Sequence, residues 1–175
     1  LRYLMNRCFH LSLKASETNS GRFIKMPWVG ALVVDDKTGL IIGEGWRGQS
    51  KTLKRFDHAE RIAINNSLQR GLFQKGLYTL VTTLEPCIQK RNHRALLSPC
   101  SEYIVKNGIG RVIYGILDEQ SLLFGGGSGV SYLKRQRVYG IPVEVIGMKE
   151  ILSMDDYQEL RERINSVIGR TKAKN

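Results

Sequence analysis

Four side chains on three short segments could do chemistry together. Asp57-His58-Ala59-Glu60 supplies an imidazole and a carboxylate, while Leu84-Glu85-Pro86-Cys87 and Ser98-Pro99-Cys100 each supply a thiol directly after a proline. One imidazole and two thiolates are donors that zinc accepts, and three protein ligands leave a tetrahedral zinc one position for water. Water held there ionises near neutral pH instead of near 15.7. Glu60 stands two residues after His58, so if this segment opens a helix, both side chains lie in its first turn and reach one small volume. A carboxylate outside the ligand set can carry protons to and from a reacting molecule. His58, Cys87 and Cys100 as ligands with Glu60 as general acid/base make up the parts needed to replace an amine on an aromatic base by hydrolysis.

His58-Ala59-Glu60, Thr83-Leu84-Glu85-Pro86-Cys87 and Pro99-Cys100 together resemble the zinc-dependent cytidine deaminase-like superfamily. Within it, Val29 through Val34, Ile42-Gly43-Glu44-Gly45-Trp46, the strand-like run 77–83, Arg111 through Gly115 and Gly140 through Val145 are most similar to the deaminase domain of bifunctional riboflavin-biosynthesis proteins. The match covers roughly residues 25–147. This resemblance implies a three-layer α/β/α fold with a five-stranded mixed sheet, a bound zinc ion and a hydrolytic deaminase. It also marks departures. Cysteines commonly separated by two residues in the superfamily are separated here by twelve, and that insertion carries Lys90, Arg91, His93 and Arg94. Met26 occupies the position where riboflavin-type domains usually carry an asparagine, and Arg47 the position where transfer RNA and deoxycytidylate deaminases do. The reaction type survives these departures, whereas the substrate is left open.

Net charge of +11 over 175 residues is large, and its distribution is informative. Arg47, Lys51, Lys54 and Arg55 precede His58, and Lys90, Arg91 and Arg94 lie between the two cysteines. Cations around a metal site raise the local concentration of anionic ligands, which points to a phosphate-bearing substrate. The candidate substrate contacts are therefore Met26, Trp46, Arg47, Arg91, His93 and Arg94. Trp28 and Trp46 could stack on a planar base or simply pack in the core. Three cysteines, two of them in the ligand motif, do not form a disulfide framework, and Cys8 reads as a small buried apolar residue. No apolar run is long enough to span a bilayer and no signal-peptide pattern opens the chain, so a cytoplasmic location and no membrane partner are expected.

The elements that must position the four side chains are legible from periodicity. Leu4, Cys8, Leu11 and Ala15 recur at helical spacing and predict a first helix over residues 3–15. Residues 28–34 and 40–46 read as a hairpin across the turn 35–39, and a helix follows from about residue 57 or 58 to 70, stopped by Gly71. Residues 77–83 form a strand that delivers Glu85-Pro86-Cys87, and Pro99 suits the first turn of a helix running to Lys106. A strand over 111–117, a helix over 130–139 and a strand over 142–146 imply a parallel crossover. A surface helix over 155–168 and a basic tail complete one 175-residue domain. Gly125 through Gly129 reads as a flexible loop, with a phosphate-binding turn as the alternative.

Three functional readings follow. The first is a zinc-dependent deaminase of a phosphorylated pyrimidine-type nucleotide or a riboflavin-pathway-like intermediate. The second applies the same chemistry to a base in RNA or single-stranded DNA, and the third is a non-catalytic zinc-stabilised nucleic-acid-binding module. Partners are accordingly a small anionic nucleotide-like molecule or a nucleic acid, and a homodimer is left open.

Overall fold

The computed structural model describes residues 1–18, 27–49, 58–70, 78–88, 98–119 and 127–168. Helix α1 (Arg2–Thr18) precedes the strands β1 (Gly30–Asp35) and β2 (Ile41–Trp46). Next come α2 (Ala59–Gln69), β3 (Tyr78–Leu84), α3 (Cys100–Lys106) and β4 (Arg111–Ile116). Helix α4 (Gly129–Lys134), the short strands β5 (Arg137–Val138) and β6 (Ile141–Pro142), strand β7 (Glu144–Gly147) and helix α5 (Met154–Ile168) finish the chain. The main sheet has the order β2-β1-β3-β4-β7. Strand β1 runs antiparallel to β2 and to β3, whereas β4 runs parallel to both β3 and β7. This is the expected mixed five-stranded sheet, and the β4-to-β7 connection is the expected parallel crossover.

Alternation along the strands assigns a helix layer to each face. A side chain at Gly30 would meet Cys8, Leu11 and Ser12 of α1, so Gly30, Leu32 and Val34 face α1. Side chains at Gly43 and Gly45 would meet Ala59, Ala63 and Ser67, so the opposite face carries α2. Gly115 faces Met5 of α1 and Ile164 of α5, which places those two helices together. Central strand β3 is buried along its whole length, which fits a strand covered on both faces. Its two adjacent threonines point to opposite sides. The Thr83 hydroxyl lies 3.2 Å from the Ser12 hydroxyl and accepts the Gly30 N–H, which ties α1 to the sheet.

Two helix boundaries differ from expectation. Helix α1 runs on to Thr18, and α4 stops at Lys134 instead of continuing to residue 139. Tyr139 and Gly140 both take the left-handed backbone, with φ of 53° and 81°, and fold the chain into a tight antiparallel hairpin of β5 and β6. Two such residues in succession match the twist of a two-residue hairpin and cannot continue a helix. The strand expected over 142–146 is accordingly split between β6 and β7. Among the described residues no helix is long and apolar enough to cross a membrane.

Gly45 offers a direct test of how α2 is seated. A Cβ at this position would sit 2.4 Å from the Ala59 carbonyl oxygen and 2.6 Å from the Ala63 nitrogen, whereas Gly39, at φ 71°, has nothing within 4 Å. Gly45→Ala should cost about 3 kcal/mol through forced displacement of α2, and Gly39→Ala about 1 kcal/mol through backbone strain alone. Urea unfolding of the two variants beside the parent checks the order, and equal losses would show that α2 is not seated as described.

Candidate metal centre and active site

His58 is the residue immediately before α2, in an extended conformation with φ −81° and ψ 138°. Its carbonyl accepts the Ile62 N–H at 3.2 Å, so the imidazole is carried on the first turn of a helix whose height over the sheet is fixed by Gly43 and Gly45. Glu60, in the same turn, is only 4% exposed. Cys87 follows the end of β3, and Cys100 opens α3 directly after Pro99. The candidate ligand atoms of His58, Cys87 and Cys100 all lie within 4.8 Å of one another. Cys87 Sγ is 3.7 Å from His58 Nδ1 and accepts the Cys100 backbone N–H at 3.4 Å. The Ser101 N–H and hydroxyl both donate to the Cys87 carbonyl, at 3.1 and 3.0 Å. One imidazole and two thiols converging in this way from three elements fit a zinc ion, and no other such group of His, Cys, Asp or Glu occurs among the described residues.

Electrostatics at this cluster follow from burial. Loss of solvent raises the Glu60 carboxyl above its ordinary range, with a smaller push from Cys87, while the charges of His58 and Arg47 act in the opposite sense. A buried carboxyl raised in this way is suited to taking and returning protons near neutral pH. The two thiols differ: a hydrogen bond from Cys100 pulls the Cys87 thiol well down, and burial pushes the Cys100 thiol well up. In the apo arrangement Cys87 is therefore the thiolate and Cys100 its donor.

Two residues without an assigned role in the motif hold this cluster in place. Arg61, next to Glu60, donates to the Ser98 carbonyl at 2.9 Å, and its guanidinium lies 3.9 Å over the Tyr103 ring. The Tyr103 hydroxyl returns to Asn65 on α2 at 2.5 Å, so α2 and the Ser98–Cys100 approach are pinned from both ends. Glu85, 4% exposed, accepts the Asp118 N–H at 3.1 Å, the Ser128 hydroxyl at 2.6 Å and the Val130 N–H at 2.9 Å. The signal for Glu85 was an acidic residue closing a strand of otherwise apolar and threonine residues. Arg61 had no such signal, since an arginine on an amphipathic helix is ordinary.

The remaining candidates separate. Arg47 follows β2, donates its N–H to the Val29 carbonyl at 3.0 Å and has a charge that is felt at Glu60. Trp46 pairs with Gly30 across the hairpin and therefore faces α1, where Lys14 Nζ lies 4.2 Å from its ring centroid; it is on the sheet face opposite α2. Trp28 is buried in the core, as is Cys8, whose thiol donates to the Val81 carbonyl at 3.4 Å. Gly129 is a packed position, because a Cβ there would lie 1.8 Å from the Pro86 carbonyl oxygen. That contact and the Ser128–Glu85 bond show residues 127–129 to be a packed turn. Met26, Arg91, His93 and Arg94 lie outside the described residues.

Residues 2–116 match the family model of the cytidine and deoxycytidylate deaminase zinc-binding region, and the chain belongs to that family. Over 136 residues it is 32% identical to the diaminohydroxyphosphoribosylamino-pyrimidine deaminase of Buchnera aphidicola, a span of 77% of this chain and 82% of that protein. It is 35% identical to the riboflavin biosynthesis protein RibD of Aquifex aeolicus over 77% of this chain but only 33% of that longer protein. The fold superposes on the crystal structure of a Thermotoga maritima diaminohydroxyphosphoribosylaminopyrimidine deaminase and uracil reductase with a TM-score of 0.65 at 32% identity, covering 94% of this chain and 40% of that one. The family is zinc-binding, and the His58, Cys87 and Cys100 group is able to hold the ion.

The Arg61 pin yields a prediction that needs no substrate. Arg61→Ala removes a charged hydrogen bond and a stacked cation, and should lower stability by about 2 kcal/mol. Arg61→Lys keeps the charge but loses the planar fork, and should recover less than half of that. Denaturant titration of the zinc-free protein measures both, and full recovery by lysine would reduce the interaction to simple charge.

Proposed function

We propose that this chain hydrolyses the exocyclic amine of an aminopyrimidine that carries a phosphoribosyl group. The observation that carries the proposal is the convergence of His58, Cys87 and Cys100 with the buried Glu60 on the first turn of α2. Similarity to the Buchnera deaminase over most of both chains supports the substrate class.

His58, Cys87 and Cys100 hold the zinc ion, which when bound supplies an acidified water and an electrophile. Glu60 takes a proton from the attacking water, gives it to the ring nitrogen next to the carbon under attack, and later delivers a proton to the departing amine. One C–O bond forms, one C–N bond breaks, and ammonia leaves as the ring carbon becomes a carbonyl. Burial of Glu60 excludes bulk water from this exchange, so protons pass between the carboxyl and the substrate.

Charge distribution supports an anionic substrate. Of the 27 Lys and Arg, twelve fall outside the described residues, as does only one of the 16 acidic residues, Asp57. The described residues therefore carry fifteen of each sign, and the entire +11 belongs to segments outside them. Two of those segments, 50–57 and 89–97, adjoin His58 and the two cysteines in sequence and contribute Lys51, Lys54, Arg55, Lys90, Arg91 and Arg94. Cations gathered beside a site raise the encounter rate with a phosphate. Arg47, whose charge acts on Glu60, is the described residue we assign to substrate contact.

Glu60→Gln should reduce ammonia release by about 10²–10⁴-fold while the zinc content stays near one ion per chain. Mass spectrometry reads the reaction as a gain of about one mass unit per amine replaced, since oxygen substitutes for NH. Undiminished turnover in Glu60→Gln would rule out the assigned proton carrier. Turnover should also fall when the phosphoribosyl group is replaced by hydrogen, chiefly through KM.

A further inference from the structure

We propose that Glu85 is a positioning residue for the metal centre, acting through the Pro86-Cys87 backbone and fixed in turn by the Gly127–Val130 turn; this rests on the metal site assigned above. A carboxylate that is 4% exposed is costly to bury without donors. Its donors come from two segments distant in sequence: the Asp118 N–H at 3.1 Å on one oxygen, and the Ser128 hydroxyl at 2.6 Å with the Val130 N–H at 2.9 Å on the other. The Glu85 N–H meanwhile donates to the Ile116 carbonyl at 2.9 Å. Glu85 thus joins the end of β3 to the end of β4 and to the start of α4.

The next two residues transmit that constraint. Gly129 lies so close behind Pro86 that any side chain would overlap its carbonyl oxygen, at 1.8 Å. Beyond Pro86, the Cys87 carbonyl accepts both Ser101 donors, and its sulfur accepts the Cys100 N–H. The Cys87 backbone is therefore held from upstream by Glu85 and Gly129, and from downstream by the first turn of α3. Neither Glu85 oxygen is free to serve as a ligand or proton carrier, because each already accepts from the turn or the β4 end. Partners that orient a ligand in this way change metal affinity when removed, even though they do not touch the metal.

The test measures metal affinity without substrate, so its outcome is independent of whether the proposed deamination is found. Zinc affinity of the full chain is measured by competition with a chromophoric chelator, and cobalt(II) substitution reports thiolate coordination through sulfur-to-metal charge-transfer absorption. Glu85→Gln, which supplies a donor where Asp118 N–H needs an acceptor, should weaken zinc binding by about 10–100-fold and reduce the cobalt charge-transfer band. Ser128→Ala leaves both backbone donors in place, folds more readily, and should weaken binding by about threefold to tenfold, with recovery in Ser128→Thr. A lower melting temperature with unchanged zinc affinity and cobalt spectrum in Glu85→Gln and Ser128→Ala would make Glu85 merely structural and overturn the proposal. Unchanged zinc affinity in Cys87→Ser would remove the metal site itself, and the positioning role with it.

Discussion

The backbone of α2 rests directly on the backbone of β2, and the rest of the site depends on that contact. Gly43 and Gly45 stand two apart, so the two-residue period of a strand puts both bare positions on one face. Side chains there would overlap the carbonyl oxygens of Ala63 and Ala59, at 2.2 and 2.4 Å. The first turn of α2, with His58 before it and Glu60 within it, therefore has its distance from the sheet set by atoms with no rotational freedom. Glu44 and Trp46 alternate with these glycines and face α1. Arg7 binds both Glu44 oxygens, at 2.7 and 2.9 Å, and Lys14 covers Trp46. One short edge strand thus fixes the catalytic helix on one side and anchors α1 on the other.

That edge strand is also closed against further pairing. The Glu44 carbonyl accepts the Asn66 side-chain amide at 2.8 Å, and the Trp46 N–H donates to the Gln49 side-chain oxygen at 3.3 Å. Side chains that occupy outward backbone groups are a recognised protection against edge-to-edge association. Since Asn66 belongs to α2, the bond has a second effect. It ties the C-terminal half of α2 to the strand whose glycines seat its N-terminal half, so the helix is fixed in tilt as well as in height.

Chemistry was more legible in the sequence than its support. His58, Cys87 and Cys100 could be recognised because few residue types bind zinc and because Pro-Cys units and His-x-Glu have characteristic spacing. The sheet and its crossover followed from alternating apolar runs separated by turn residues. What could not be read was the set of long-range partners: nothing local in Arg61 announces Ser98 and Tyr103, and nothing local in Ser128 announces Glu85. Trp46 shows the limit in another way. Its place beside the Gly45 strand position suggested a base-stacking role, but its parity on β2 puts its ring on the α1 face. Residues 137–140 were read as helix because Val130 and Leu133 have helical spacing, whereas the left-handed pair at Tyr139 and Gly140 sets the actual end.

Electrostatics explain why the cluster is arranged to take up a cation. Glu60 and Cys100 are both pushed towards their neutral forms by burial, and each adds to the other's cost of ionisation through its negative charge. Cys87 escapes this only because Cys100 donates to it and His58 stands beside it. The apo cluster therefore keeps one thiolate by retaining a proton on its neighbour. A divalent cation bound by the two sulfurs replaces that proton and offsets both thiolates at once, which is why metal binding at such sites releases protons and falls as pH is lowered. The same positive charge removes the repulsion that Glu60 feels from Cys87, leaving burial as the main force raising its carboxyl. Ion and carboxyl are thus linked in function: occupancy of the thiolates brings Glu60 closer to the range in which it can both accept a proton from water and return it to a departing amine.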